Sequence, residues 1–122
     1  MGKKILIVDD SGTIRQQVRF ALEKSGYEVL EADDGQNGLS KVDTIQDIAL
    51  VITDINMPNM NGIEMLQKIK SNSAHASLPV VILTTEGKKE LMSEAKQAGA
   101  KGWLVKPFQP DQLLTVVTKL AG

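Results

Sequence analysis

Two aspartates stand side by side immediately after an apolar run, in "KKILIVDDSG", where Asp9 and Asp10 follow Ile5 to Val8. A third, Asp54, follows another apolar run in "LVITDINMPNMNG". Thr84, Thr85 and Glu86 follow a third run, and Lys106–Pro107 a fourth. Adjacent carboxylates repel by roughly 4 kcal/mol at about 4 Å and an effective dielectric near 20. A cluster of them therefore asks for a counter-charge. Hard oxygen ligands with no His or Cys beside them suit Mg²⁺ or Mn²⁺. A carboxylate flanked by such an ion, an ammonium and a hydroxyl is equipped to attack phosphorus. Phosphoryl transfer is mostly positioning and charge neutralisation, and an aspartyl phosphate is a known product of carboxylate nucleophiles.

That chemistry needs a scaffold that brings distant strand ends together. "KILIV" (4–8) is a continuous apolar run, the mark of a strand buried on both faces. Ile14, Val18, Ala21 and Leu22 then recur at helical spacing, capped by Ser11 or Gly12 and ended by Gly26. "YEVLEA" (27–32) alternates as an edge or half-buried strand would, and Leu39, Val42 and Ile45 mark a second, weaker helix. "IALVIT" (48–53), "PVVILT" (79–84) and "GWLV" (102–105) read as further strands. Helical patterns follow each: Ile63, Leu66 and Ile69; Leu91, Ala95 and Ala98, stopped by Gly99; and Leu113, Val117 and Leu120. Strict alternation predicts a parallel sheet with helices on both faces. Ligands bind such sheets beyond the carboxyl ends of the strands, at the topological switch point. In a 2-1-3-4-5 order, strands one and three flank that point, and Asp9, Asp10 and Asp54 converge there with Thr84 and Lys106 to either side.

The chain has 122 residues, room for one domain, with net charge −1 and no cysteine. Disulfides, thiolate metal sites and thiol nucleophiles are thereby excluded. No polyanion-binding surface is advertised, so direct nucleic-acid binding is not expected. No apolar run nears the ~20 residues of a membrane span, and "MGKK" does not open a signal peptide. A cytoplasmic monomer without membrane attachment is expected.

The blocks "ILIVDDS", "ITDINMPNMNGIEML", "VVILTTE" and "AKGWLVKPF", in this order and spacing, resemble the signature blocks of bacterial response-regulator receiver domains of the CheY-like group. The resemblance covers essentially the whole chain. It implies a flavodoxin-like (βα)5 fold and a single receiver domain over 1–122 with no output domain. It further implies that Asp54 accepts a phosphoryl group from a histidine kinase, and that Asp9, Asp10, Asp54 and the backbone carbonyl of Asn56 hold Mg²⁺. Of the acidic pair, the resemblance implies that Asp10 would be the more direct ligand. Thr84 would move onto the phosphoryl group, Lys106 would bind it, and Lys106–Pro107 would be cis. Trp103 falls at the switch position, where the family usually has Tyr or Phe; an indole is the bulkier ring. Asn56 and Glu86 fall at two variable positions beside the site. The implied protein is no turnover enzyme. It is a two-component switch read by a partner on the face of the fourth helix, fifth strand and fifth helix. A chemotaxis-type regulator acting on a flagellar motor is favoured over a relay intermediate that passes phosphate to a histidine phosphotransfer domain.

Plainer readings stand beside these. Asp9–Asp10 alone could be a solvated helix start, favoured there by capping and the helix dipole. Asp33–Asp34 before Gly35 reads as a turn, not a metal site. Thr84, Lys106 and Trp103 taken singly are ordinary strand-end residues. Met57, Met60 and Met65 read as packing, and His75 in "SNSAHAS" as an exposed loop residue. A phosphatase on a similar sheet usually wants an acid two residues after the nucleophile, and Asn56 cannot serve. A flavin carrier needs a phosphate cradle after the first strand, where "DDSGTI" would repel it. An unphosphorylated scaffold would not need the full set of site residues.

Overall fold

The computed structural model describes residues 2–121. Five parallel strands, β1 (Lys4–Val8), β2 (Glu28–Ala32), β3 (Ile48–Thr53), β4 (Val80–Thr84) and β5 (Gly102–Val105), lie in the order β2-β1-β3-β4-β5. Helices α1 (Gly12–Glu23), α2 (Gly35–Thr44), α3 (Gly62–Ser71), α4 (Lys89–Ala98) and α5 (Pro110–Ala121) alternate with them. This is the doubly wound architecture expected from the alternation, in the flavodoxin-like strand order that the resemblance implies.

The period-2 geometry of a strand divides the apolar runs between two cores. Ile5, Ile7, Leu50, Ile52, Val81 and Leu83 point to one face and pack with Val18 and Leu22 of α1 and Leu113 and Val117 of α5. Leu6, Val8, Val51 and Val80 point to the other, against Val42 of α2 and Met65, Leu66 and Ile69 of α3. The central strands are apolar except for Lys4, Thr53 and Thr84 at their ends, because both faces are covered. Each such side chain contributes about 1.5–3 kcal/mol by leaving water.

Short polar residues start the helices where the strands end. Ser11 accepts from the Ile14 N–H and caps α1. Asp34 accepts from the Asn37 N–H at 2.8 Å and caps α2, which gives the second aspartate pair the structural role expected of it. Asn61 and Glu64 form a reciprocal capping box at α3. Gly99, at φ 111°, closes α4 in the left-handed region that glycine enters without strain.

The segment around His75 departs from expectation. Ser73–His75 is a 3₁₀ turn, and His75 is half-buried with Nε2 3.5 Å from Asp43 Oδ1. Asn72 accepts from the Ala74 N–H, and the Lys70 ammonium donates to the carbonyls of Ala76 and Leu78. Polar side chains thus fold this stretch back onto α3, and it is no open loop. Tyr27 and Pro79 lie just outside their strands, and Ile45 is the C-cap of α2.

Candidate functional site

Asp9, Asp54, Thr84 and Lys106 all sit at the carboxyl edge of the sheet. β1 and β3 are neighbours, so Asp9 and Asp54 leave adjacent strands side by side. The Asp54 N–H donates to the Val8 carbonyl at 3.0 Å and the Asp9 N–H to the Ala32 carbonyl at 3.0 Å. Both backbones therefore continue the ladder one step past their strands. Asp54 is further fixed by Gly62, whose N–H donates to the Ile55 carbonyl. A Cβ on Gly62 would lie 2.0 Å from the Asp54 carbonyl oxygen, so only glycine lets α3 start this close.

Lys106 bridges the two buried carboxylates. Its ammonium donates to Asp9 Oδ2 at 2.7 Å and to Asp54 Oδ2 at 2.8 Å. Asp9 is fully buried, and its Oδ1 accepts from the Ser11 N–H at 2.9 Å. Asp54 is 7% exposed, and its Oδ1 accepts from the Ile55 N–H at 2.6 Å. Lys106 itself is anchored by its N–H to the Thr84 carbonyl at 2.9 Å, and the Lys106–Pro107 peptide is cis. Burial pushes the Asp9 carboxyl above its ordinary value, against the pull of Lys106 and the Ser11 N–H. Burial alone would depress Lys106, but its hydrogen bonds to Asp54 and Asp9 outweigh this and raise it. The repulsion posed by the acidic cluster is thus relieved within the chain, by the lysine that the sequence offered for phosphate.

Asp10 completes the cluster from the exposed side. One carboxylate oxygen each of Asp9, Asp10 and Asp54 lie within 4.8 Å of one another. An octahedral Mg²⁺ with ligands at about 2.1 Å spaces opposite oxygens about 4.2 Å apart. The donor set is all oxygen and the opening faces solvent, so the residues fit a hard divalent cation that keeps some of its waters.

Thr84 is fully buried, and its hydroxyl accepts from the Glu86 N–H at 3.3 Å. Above it, Asn56 Nδ2 donates to Glu86 Oε1 at 3.4 Å across the mouth of the site. Trp103 stands opposite Ile82 in the β4–β5 register. Its half-buried ring packs on Ile55, Ile63, Ile82 and Ala95, and its buried Nε1–H has no hydrogen-bond partner among the described residues. Sequence reasoning did not find Arg15, whose guanidinium Nη1 donates to the Asp9 carbonyl at 2.6 Å. In the sequence Arg15 looks like any polar residue on a helix surface.

A doubly wound sheet in this order, with carboxylates from its first and third strands joined by a lysine after its fifth, defines the class of phosphorylation-controlled receiver modules. Comparison with known proteins makes this specific. The chain belongs to the response regulator receiver domain family, whose model matches residues 5–118. It is 42% identical over 111 residues, 90% of each chain, to the chemotaxis protein CheY1 of Helicobacter pylori. It is 38% identical over 120 residues to the chemotaxis protein CheY homolog of Campylobacter jejuni, covering 98% of this chain and 92% of that one. Among solved structures, the chemotaxis response regulator CheY4 of Vibrio cholerae superposes with a TM-score of 0.91 at 41% identity, covering 98% and 99% of the two chains. A phosphorylation-switch role in two-component signalling fits the family and the site alike. No helix among the described residues is long and apolar enough to cross a membrane.

Proposed function

We propose that this chain is a cytoplasmic chemotaxis-type response regulator whose Asp54 takes a phosphoryl group from the phosphohistidine of a kinase. The observation that carries the reading is the Lys106 bridge: one ammonium within hydrogen-bond distance of both Asp54 and Asp9. In the transfer, an Asp54 carboxylate oxygen bonds to phosphorus as the phosphorus–nitrogen bond to histidine breaks. The bonding pair leaves with the imidazole. Asp9, Asp10 and Asp54, with the Asn56 carbonyl, would hold Mg²⁺, which would supply charge neutralisation at the phosphoryl oxygens when bound. Lys106 gives up part of its double hydrogen bond to follow the new negative charge. The Thr84 hydroxyl, which here accepts only a long hydrogen bond from the Glu86 N–H, is the donor free to turn toward that charge.

Departure of the Thr84 hydroxyl changes the packing beneath Trp103, two positions along the β4–β5 ladder from it. The face formed by α4, β5 and α5 then presents a new shape to a protein target. Such a switch biases a two-state element. It is modified once per chain and catalyses no turnover of a separate substrate. The chemotaxis relatives, matched over nearly their whole length, support a motor-directed target over a relay to a phosphotransfer domain.

The test is an intact mass spectrum after incubation with Mg²⁺ and acetyl phosphate, beside Asp54→Asn and beside a chelated sample. One added phosphoryl group on the wild type alone, and only with Mg²⁺, is expected. No gain from acetyl phosphate or from a phosphorylated histidine kinase would overturn the reading.

A further inference from the structure

Asp10 is the most exposed of the three clustered carboxylates, and it follows directly on Asp9 in the chain. The carbonyl of the peptide that joins the two is the Asp9 oxygen held by Arg15 Nη1 at 2.6 Å. We infer that Arg15 is a positioning residue for the divalent-cation site: it fixes the plane of the Asp9–Asp10 peptide and so aims the Asp10 carboxylate. This rests on the metal reading above and goes beyond it by adding a residue that touches neither metal nor phosphate.

Arg15 is itself held in place. Its Nε donates to Glu31 Oε1 at 2.9 Å, and the other Glu31 oxygen accepts from Arg19 Nε at 2.8 Å. Arg19 also pairs with Glu23 at 3.0 Å. The guanidinium is planar and offers donors in a fixed fork, so engaging Nε orients Nη1 as well. A chain of contacts thus runs from the edge strand β2 through Glu31 and Arg15 to the peptide between two acidic residues. On the far side of that peptide the Asp9 N–H is tied to Ala32, the residue after Glu31. Both ends of Asp9 are therefore referenced to one short stretch of β2.

A bland alternative is that Arg15 merely satisfies a buried carbonyl. Another is that its charge matters and its geometry does not. The three readings differ in sign. A positive charge near a cation site weakens cation binding, so on a charge-only account Arg15→Met tightens Mg²⁺ binding and Arg15→Lys leaves it unchanged. On a purely structural account both variants melt earlier but bind Mg²⁺ as the wild type does. If Arg15 aims Asp10, both variants weaken Mg²⁺ binding, because neither methionine nor lysine can grip Glu31 and the Asp9 carbonyl with one fork. Loss of such outer supports typically costs 10- to 100-fold in metal affinity; about tenfold is expected here.

The experiment is calorimetric titration of Mg²⁺ into the full chain, well below each variant's melting temperature. Wild type, Arg15→Lys, Arg15→Met, Glu31→Gln and Val117→Ala are compared. Val117→Ala truncates a buried residue of α5 away from the site and controls for stability. The expected result is a Kd raised about tenfold in both Arg15 variants, raised less in Glu31→Gln, and unchanged in Val117→Ala. Unchanged or tighter Mg²⁺ binding in the Arg15 variants overturns the inference and leaves the metal reading standing. Absence of Mg²⁺ binding in the wild type overturns both. If Arg15→Met does not fold, Arg15→Lys and Glu31→Gln carry the same contrast.

Discussion

The Lys106 ammonium lies 2.8 Å from Asp54 Oδ2, so the carboxylate proposed to attack phosphorus is already paired with a cation before any phosphoryl group arrives. Lys106 also holds Asp9, and its side chain is only 11% exposed. Removing it leaves two buried carboxylates facing each other. Breaking a buried pair from one side typically costs about 3–5 kcal/mol. Lys106→Met is expected to lower stability by about 3 kcal/mol in Mg²⁺-free urea denaturation. Mg²⁺ should stabilise this variant more than the wild type, since the cation no longer competes with an ammonium. An equal Mg²⁺ gain in both proteins would show that Lys106 is not the resting counter-charge.

Trp103 carries a buried donor without an acceptor among the described residues. An unsatisfied buried group costs about 1–3 kcal/mol, which offsets part of what the ring gains by packing. Trp103→Phe removes the donor and keeps most of the ring. It should change stability by less than about 1 kcal/mol, whereas Trp103→Ala should lose about 3 kcal/mol. A large loss in the phenylalanine variant would mean that the indole N–H has a partner in solution.

Glu86 places a carboxylate at the mouth of the site, 3.4 Å from the Asn56 amide. Small phosphodonors are anions and meet that charge on entry. Glu86→Gln is expected to raise the initial rate of phosphorylation by acetyl phosphate a few-fold, most at low ionic strength. A rate independent of both the substitution and salt would remove Glu86 from the entry path.

Glu31 gives a pH dependence with a definite sign. Burial would raise its carboxyl, but Arg15 and Arg19 outweigh this and hold it below its ordinary value of 4.5. The folded state then binds its proton less readily than the unfolded chain. Its contribution is fully present above about pH 4.5 and is lost as pH falls through the lowered folded value. The stability difference between wild type and Glu31→Gln should therefore be constant at neutral pH and shrink in acid, and it should be under about 1 kcal/mol for so accessible a pair. Denaturant midpoints of both proteins across that range would show it; a gap that widens in acid would contradict the ion pair.

Gly62→Ala tests how closely α3 must approach Asp54. The added methyl would collide with the Asp54 carbonyl oxygen at 2.0 Å, and rigid backbone cannot yield cheaply. Overpacking of this kind costs about 1–3 kcal/mol. Because the displaced backbone is that of Asp54 itself, phosphorylation by acetyl phosphate should slow as well. A variant with normal rate and stability would mean the helix start can shift freely.

The strands were legible because burial on both faces leaves an unbroken apolar run, as in Ile5 to Val8 and Leu50 to Ile52. The switch point followed from the 2-1-3-4-5 order, which the alternation allowed and the family resemblance selected, and with it came the meeting of Asp9, Asp54, Thr84 and Lys106. Three features were not legible, each for a reason of distance. The 3₁₀ turn at Ser73–His75 depends on the Lys70 ammonium reaching carbonyls six and eight residues on. The grip of Arg15 on the Asp9 carbonyl depends on how α1 leaves the sheet. The Lys106 bridge supplies part of the counter-charge that three clustered carboxylates demand, across 97 and 52 residues of chain. Spacing fixes which residues converge; which of them pair depends on the reach of the Lys106 side chain.

Lys106 stands 97 residues after Asp9 and 52 after Asp54. Chains are made from the N-terminus at about 5–20 residues per second. For roughly 3–10 seconds of synthesis, then, both carboxylates exist and their lysine does not. β5, which delivers that lysine, is also the last strand added at its edge of the sheet. A nascent chain at that stage holds both aspartates without the ammonium that pairs them in the full chain. On the function proposed above, competence to receive a signal would arrive only once β5 and the lysine after it have been made.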